Sequence, residues 1–168
     1  LELDRPERPW WRSLAPRWSG LVTSLLDRPS VDLVILPLSR EECEVRSRSR
    51  GIATIIARSD SYSYQTVTGD PLGIGPHTGL SDADAYDVTA SSDYPDAIVQ
   101  IARLGSASRS GEIILSALRG WDFRSHYEPI PHVSSHGALH REHMLVPLLT
   151  NKPVACKPRR TVDVMPSA

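Results

Sequence analysis

The chain has no stretch of ~20 consecutive apolar residues, the length a helix needs to span a bilayer, and nothing laid out like a signal peptide. No membrane segment is expected in it. An excess of charge of either sign is also missing. With 19 Lys and Arg against 20 Asp and Glu the formal net charge is −1, so a nucleic-acid polymer is not expected as a partner. Only two cysteines occur, Cys43 and Cys156, far apart and outside any C-x-x-C or Cys/His spacing that holds structural zinc. They are read as two reduced thiols. There are no internal repeats and no low-complexity tract. The Gly/Pro-rich stretch 69–80, GDPLGIGPHTGL, lacks the Lys-Ser/Thr of a P-loop, and its prolines remove amide donors, so it reads as a plain loop carrying an exposed His77. An initiating methionine is missing too: the chain opens at Leu1 and closes at MPSA, just past what reads as a helix start. It is therefore expected to be a piece of a longer protein. The compartment stays open, with the cytoplasm favoured because no signal is visible.

What is present suffices for a core. Forty per cent of the 168 residues are hydrophobic, which fits one domain or part of one. Residues 1–15, rich in Pro, Arg and Trp, read as a tail or linker in which Trp10 and Trp11 dock onto something. Residues 16–28 carry apolar side chains at helical spacing, and Pro29 stops them. VDLVILP at 31–37 has the continuous β-branched character of a strand buried on both faces, and GEIILSAL at 111–118 is a second such strand. Between them, 43–67 alternates apolar and polar residues over three short strands, which reads as a small antiparallel meander projecting as an insertion. Its Arg46, Arg48 and Arg50 alternate and are placed on one solvated strand face. Ser81 reads as the N-cap of a helix with acidic residues in its first turn. DAIVQIARLG gives a short helix closed by Gly105. The expectation is an α/β fold, with a mixed central sheet covered by the helices at 16–28 and 96–104.

The chemistry concentrates at Pro131–His143, PHVSSHGALHREH, which holds four of the six histidines: His132, His136, His140 and His143. Imidazole is the commonest neutral metal ligand and also suits proton transfer. Pro131, Ser134, Ser135 and Gly137 argue against one continuous helix through the segment. A turn at Ser-His-Gly followed by one or two helical turns over 138–143 fits better, and puts His140 and His143 on one face. A two-metal hydrolytic centre also needs carboxylates, and the nearby ones are Asp122, Glu128 and Glu142. From the residues alone the segment is either a surface loop or a ligand-bearing turn. A complete small metalloenzyme using His132, His136 and His140 or His143 with Glu142 stands as a further alternative. MLVPLLT at 144–150 reads as a strand or extended run interrupted by Pro147, and Asp163 as the N-cap of a helix that has Pro166 in its first turn.

Three short motifs follow in order: Ser135-His136-Gly137, Val146-Pro147 and Asp163-Val164-Met165-Pro166. With GEIILSALRGWDF before them, they resemble the C-terminal part of the alkaline phosphatase superfamily, in its branch of type I phosphodiesterases and nucleotide pyrophosphatases. The resemblance covers roughly 111–168 and is weaker over 16–110. It implies that 16–168 is the incomplete C-terminal part of one α/β hydrolase domain, with part of an alkaline-phosphatase-like central sheet. It implies two divalent metals, usually zinc, with His136 as a ligand of one. The substrate would be a small phosphate ester or diester. His132, His140, His143 and Glu142 have no assigned family role and are expected as supporting groups or substrate contacts. Arg159 and Arg160 are read as surface or domain-packing residues rather than phosphate clamps. The family's Asp-His-Gly pair and Ser/Thr nucleophile have no counterpart here, so no catalytic residue is assigned and the chain alone is expected to be inactive. The alternative is a non-catalytic interaction module with an incidental His-rich loop.

Overall fold

The computed structural model describes residues 8–123, 137–149, 151 and 158–164. Its centre is one six-stranded sheet. The strands are β1 (Val31–Pro37), β2 (Glu42–Ser47), β3 (Gly51–Arg58), β4 (Ser61–Gly69), β5 (His77–Leu80) and β6 (Ile114–Ala117), in the order β5-β4-β3-β2-β1-β6. Every neighbouring pair is antiparallel. This corrects the expected mixed sheet. The meander at 43–67 does not project from the sheet either: β2 pairs directly with β1 through a tight hairpin, in which the Leu38 amide donates to the Glu42 carbonyl at 2.8 Å, and β2 to β4 form its middle. Two-residue alternation carries the same information in a central strand as in a projecting hairpin, so the pattern alone could not place these strands.

β1 is buried along all seven residues, as its composition requires. Leu33 and Ile35 face one layer, where Cys43, Val45, Ala53, Ile55 and Tyr64 pack against Ile98, Ile101 and Ala102 of a helix α4 (Ala97–Ser106) and Ala85 of a helix α3 (Asp82–Thr89). Val34 and Leu36 face the other, against Trp11 and Val22. That second layer comes from the N-terminal stretch: a single turn α1 (Trp11–Leu14), a 3-10 turn Ala15–Trp18 and a helix α2 (Leu21–Leu26). The helix expected over 16–28 is broken because Gly20 takes a left-handed φ of 83°. Within residues 8–15, Trp11 packs against Val31, Val34 and Leu36, while Pro9, Arg12 and Ser13 are exposed. Trp11 is buried, and the Arg8 guanidinium donates to the carbonyls of Ser110 and Gly111.

Ser81 caps α3 as expected, accepting the Asp84 amide at 3.1 Å. Gly105, expected to close α4, lies inside it. Its role is close approach: a Cβ there would meet the Cys43 Sγ at 2.1 Å. The second apolar run yields a strand only over Ile114–Ala117.

Candidate functional site

One end of the sheet gathers the entry of β1, the β2–β3 turn, the exit of β4 and the exit of β6. A carboxylate is buried there. Asp32 is 4% exposed inside an otherwise apolar strand, a placement tolerated only with partners. Strict alternation would send it to the α2 side with Val34 and Leu36. The β1–β6 register shifts between Val31 and Leu33, and such a shift re-aims side chains, so Asp32 meets partners on the α4 side. Arg50 Nη2 donates to Oδ1 at 2.7 Å, and the Tyr94 hydroxyl donates to Oδ2 at 2.6 Å. Arg50 also reaches the Tyr94 oxygen at 2.7 Å and the Pro71 carbonyl at 3.0 Å. Burial, then the bond to Asp32, raises the Tyr94 phenol well above its ordinary range. This tyrosine holds its proton and acts as a fixed donor.

Arg50 is therefore not on a strand face, as the alternation with Arg46 and Arg48 suggested. It stands in the β2–β3 turn just before Gly51, whose φ of 104° lets the chain lie against Gly69 of β4. A Cβ on Gly51 would meet the Thr68 carbonyl at 1.8 Å. Alongside, Asp70 organises the loop after β4. It accepts the amides of Gly73 at 2.9 Å and Gly75 at 2.7 Å and the Tyr64 hydroxyl at 2.6 Å. Burial pushes its carboxyl up, but the bonds from Tyr64, Gly75 and Gly73 outweigh that and hold it below its ordinary value.

The described part of the histidine segment docks on this same end. The Leu139 amide donates to Ser116 Oγ at 3.2 Å, and the Arg141 amide to the Asp93 carbonyl at 2.8 Å. The Arg141 guanidinium donates to the carbonyls of Ser92 and Ala90. The His140 ring meets the Tyr94 ring edge-on at 5.7 Å, with its Nδ1 buried and unpartnered. His140 precedes a single turn, α5 (Arg141–Met144), in which Glu142 pairs with Arg119. His143 Nδ1 accepts the Ala138 amide at 3.4 Å. His132, Ser134, Ser135, His136 and Glu128 lie outside the described residues, as does Cys156. Among the described residues no three His, Cys, Asp or Glu side chains converge to hold a metal. His140, Glu142 and His143 are engaged in packing, an ion pair and a backbone contact, and do not by themselves fit the two-metal centre that the resemblance implies.

Downstream, 145–149 forms no strand, and Leu145, Val146, Leu148 and Leu149 are exposed. The helix expected after Asp163, with Pro166 in its first turn, lies outside the described residues. Asp163 itself lies within a 3-10 turn, Thr161–Val164, and its carboxylate accepts the amides of Arg159 at 2.9 Å and Arg160 at 2.8 Å. These amides, Arg160 first, hold it below the usual carboxylate range. Arg159 and Arg160 pack, as expected: Arg159 pairs with Asp87 at 2.7 Å, and Arg160 with Asp96 and Asp82.

Asp32, Tyr94 and Asp96 were not singled out from the sequence. Asp32 had a usable signal, since a carboxylate inside VDLVILP is a buried charge in need of a partner. Nothing local marks Tyr94 or Asp96. No protein-family model matches the chain, and no curated protein and no solved structure matches it.

Proposed function

We propose that this chain is the C-terminal portion of a divalent-metal-dependent phosphate-ester or phosphodiester hydrolase, with His136 as one metal ligand. The observation that carries the reading is the order and spacing of Ser135-His136-Gly137, Val146-Pro147 and Asp163-Val164-Met165-Pro166. The anchored stretch beginning at Gly137 is in keeping with it. Within it the Leu139 amide donates to Ser116 Oγ, the Arg141 amide donates to the Asp93 carbonyl, and His140 packs on Tyr94. In this reading His140 and Arg141 support the turn, and the nucleophile and remaining ligands belong to the rest of the longer protein. Zinc content and hydrolysis of bis(p-nitrophenyl) phosphate by the intact gene product test it. His136→Ala should lose at least tenfold in both, whereas His143→Ala should keep its zinc. Unchanged zinc and turnover in His136→Ala would sink the assignment.

The exposed apolar stretch Leu145–Leu149 favours a second reading, a non-catalytic interaction module. It predicts an intact gene product that binds no stoichiometric zinc and hydrolyses nothing.

A further inference from the structure

Residues 158–164 cross the outer side of α3 and α4. Their attachment is unusual in kind. Residues 161–164 are all exposed, with Val162 at 64%. The side-chain fastening is ionic. Arg160 donates from Nε and Nη2 to the two carboxylate oxygens of Asp96, each at 2.7 Å, and pairs with Asp82. This bidentate pair is nearly enclosed, with side chains 11% and 5% exposed. Arg159 pairs with Asp87, and both guanidiniums face the Tyr86 ring at 5.8 and 5.7 Å.

Asp96 is the unusual member. It occupies the N-cap of α4 in a left-handed conformation, φ 61°, and its side chain caps no amide. An aspartate at that position ordinarily accepts from the helix it begins. Here the carboxylate takes Arg160 and Gln100 Nε2 instead. Backbone strain of this kind persists only where the surroundings impose it, and it gathers at functional devices. Beside it lies a cleft of about 340 Å³, lined among others by Tyr86, Gln100, Met144, Leu148, Arg160 and Val164. Such a volume with mostly apolar walls is the size of a small-molecule site.

We propose that 158–164 is a releasable strap that closes this cleft, with the Arg160–Asp96 pair as its latch. Residues 161–164 are exposed, so the hold rests on the ion pairs, and removing the Asp96 charge takes away the nearly enclosed one and leaves the exposed pairs to Asp82 and Asp87, while α4 keeps its core contacts through Ile98, Ile101 and Ala102.

Trypsin reads the latch directly, because cleavage after Arg159 needs the strap to leave the surface. Asp96→Asn removes the charge while keeping a residue that tolerates the left-handed conformation, and Asp96→Gly removes the charge and the strain together. Both should be cut after Arg159 at least tenfold faster than the natural chain. Cleavage after Arg40 and Arg58 should not change. Peroxide oxidation of Met144, read by mass spectrometry on uncleaved protein, should accelerate in the same variants as the cleft opens. No acceleration after Arg159 in either variant overturns the proposal. Equal acceleration at Arg40 and Arg58 also overturns it, since the pair then belongs to the cooperative core. Unchanged Met144 oxidation in a freed strap removes the cleft from its role.

Discussion

The buried charge at Asp32 makes a prediction whose sign depends on which partner is left alone. Asp32 and Arg50 are 2.7 Å apart, but their side chains are 3% and 35% exposed. Arg50→Met strands a carboxylate that cannot reach water and, among the described residues, keeps only the Tyr94 hydroxyl. Breaking a buried ion pair in this way costs about 3–5 kcal/mol, and the surviving Tyr94 bond places the value at the low end, ~3 kcal/mol. Asp32→Asn leaves the cation unpaired instead. Arg50 can swing its exposed portion to water and still holds the Pro71 carbonyl, so the loss should stay at ~1–1.5 kcal/mol, that of a charge-assisted hydrogen bond weakened rather than orphaned. Domains of this size are stable by only about 5–15 kcal/mol, so both changes are measurable.

Urea unfolding at neutral pH, followed by tryptophan fluorescence, gives the comparison. With a slope of about 2 kcal/mol per molar, Arg50→Met should lower the midpoint by ~1.5 M and Asp32→Asn by half that or less. The double variant should be more stable than the sum of the single losses implies, because removing Asp32's charge removes what Arg50→Met leaves stranded. If Asp32→Asn costs as much as Arg50→Met, or the double variant is merely additive, the argument from unequal burial is wrong.

Gly105→Ala should destabilise by about 1–3 kcal/mol through overpacking, since the new Cβ meets Cys43 Sγ at 2.1 Å. Adding Cys43→Ala should return more than half of that in a thermal melt, and no recovery would point away from this contact. The Cys43 thiol, pushed up to about 12 by burial with Arg8 only partly opposing, should ignore an aromatic disulfide reagent in a folded Cys156→Ser background and react at once in urea. Rapid labelling of the folded protein would contradict its burial. Asp70→Asn should destabilise at pH 7, where the native carboxylate accepts three hydrogen bonds. Because the folded carboxyl titrates below the unfolded one, its contribution is complete above the unfolded value of about 3.9 and is lost as pH falls through the lower folded value. The two proteins should converge near pH ~2, and a gap that widens on acidification would reverse the sign.

Elements whose signal is local were legible in the sequence. β1 declared itself by an apolar run interrupted only by Asp32, and Ser81 by the cap chemistry ahead of α3. α4 showed by apolar spacing, although Gly105 misled: a glycine near a helix end suits a terminus and a tight crossing equally, and only the presence of Cys43 across the layer separates them. Strand direction was not legible. A continuous apolar strand suggests a parallel neighbour because parallel sheets are covered on both faces. Here both faces are covered by other means, α1 and α2 on one side and α4 on the other.

The candidate site divides along the same line. Residue types capable of chemistry are visible in a sequence, and the histidines drew attention for that reason. What gives a side chain its role is the company it keeps. His140 proves to be an edge against Tyr94, and Glu142 the partner of Arg119. The most heavily committed groups, Asp32 with Arg50 and Asp96 with Arg160, join positions 18 and 64 residues apart. Each pair is a charge taken out of water, and such a charge is retained only where its partner is brought to it. A lone carboxylate within an apolar strand therefore says that a cation arrives, and the register shift beside Asp32 shows how the strand is bent to receive it. Which cation arrives is set by the β2–β3 turn, where Gly51 and Gly69 lie close enough to carry Arg50 to the end of the sheet.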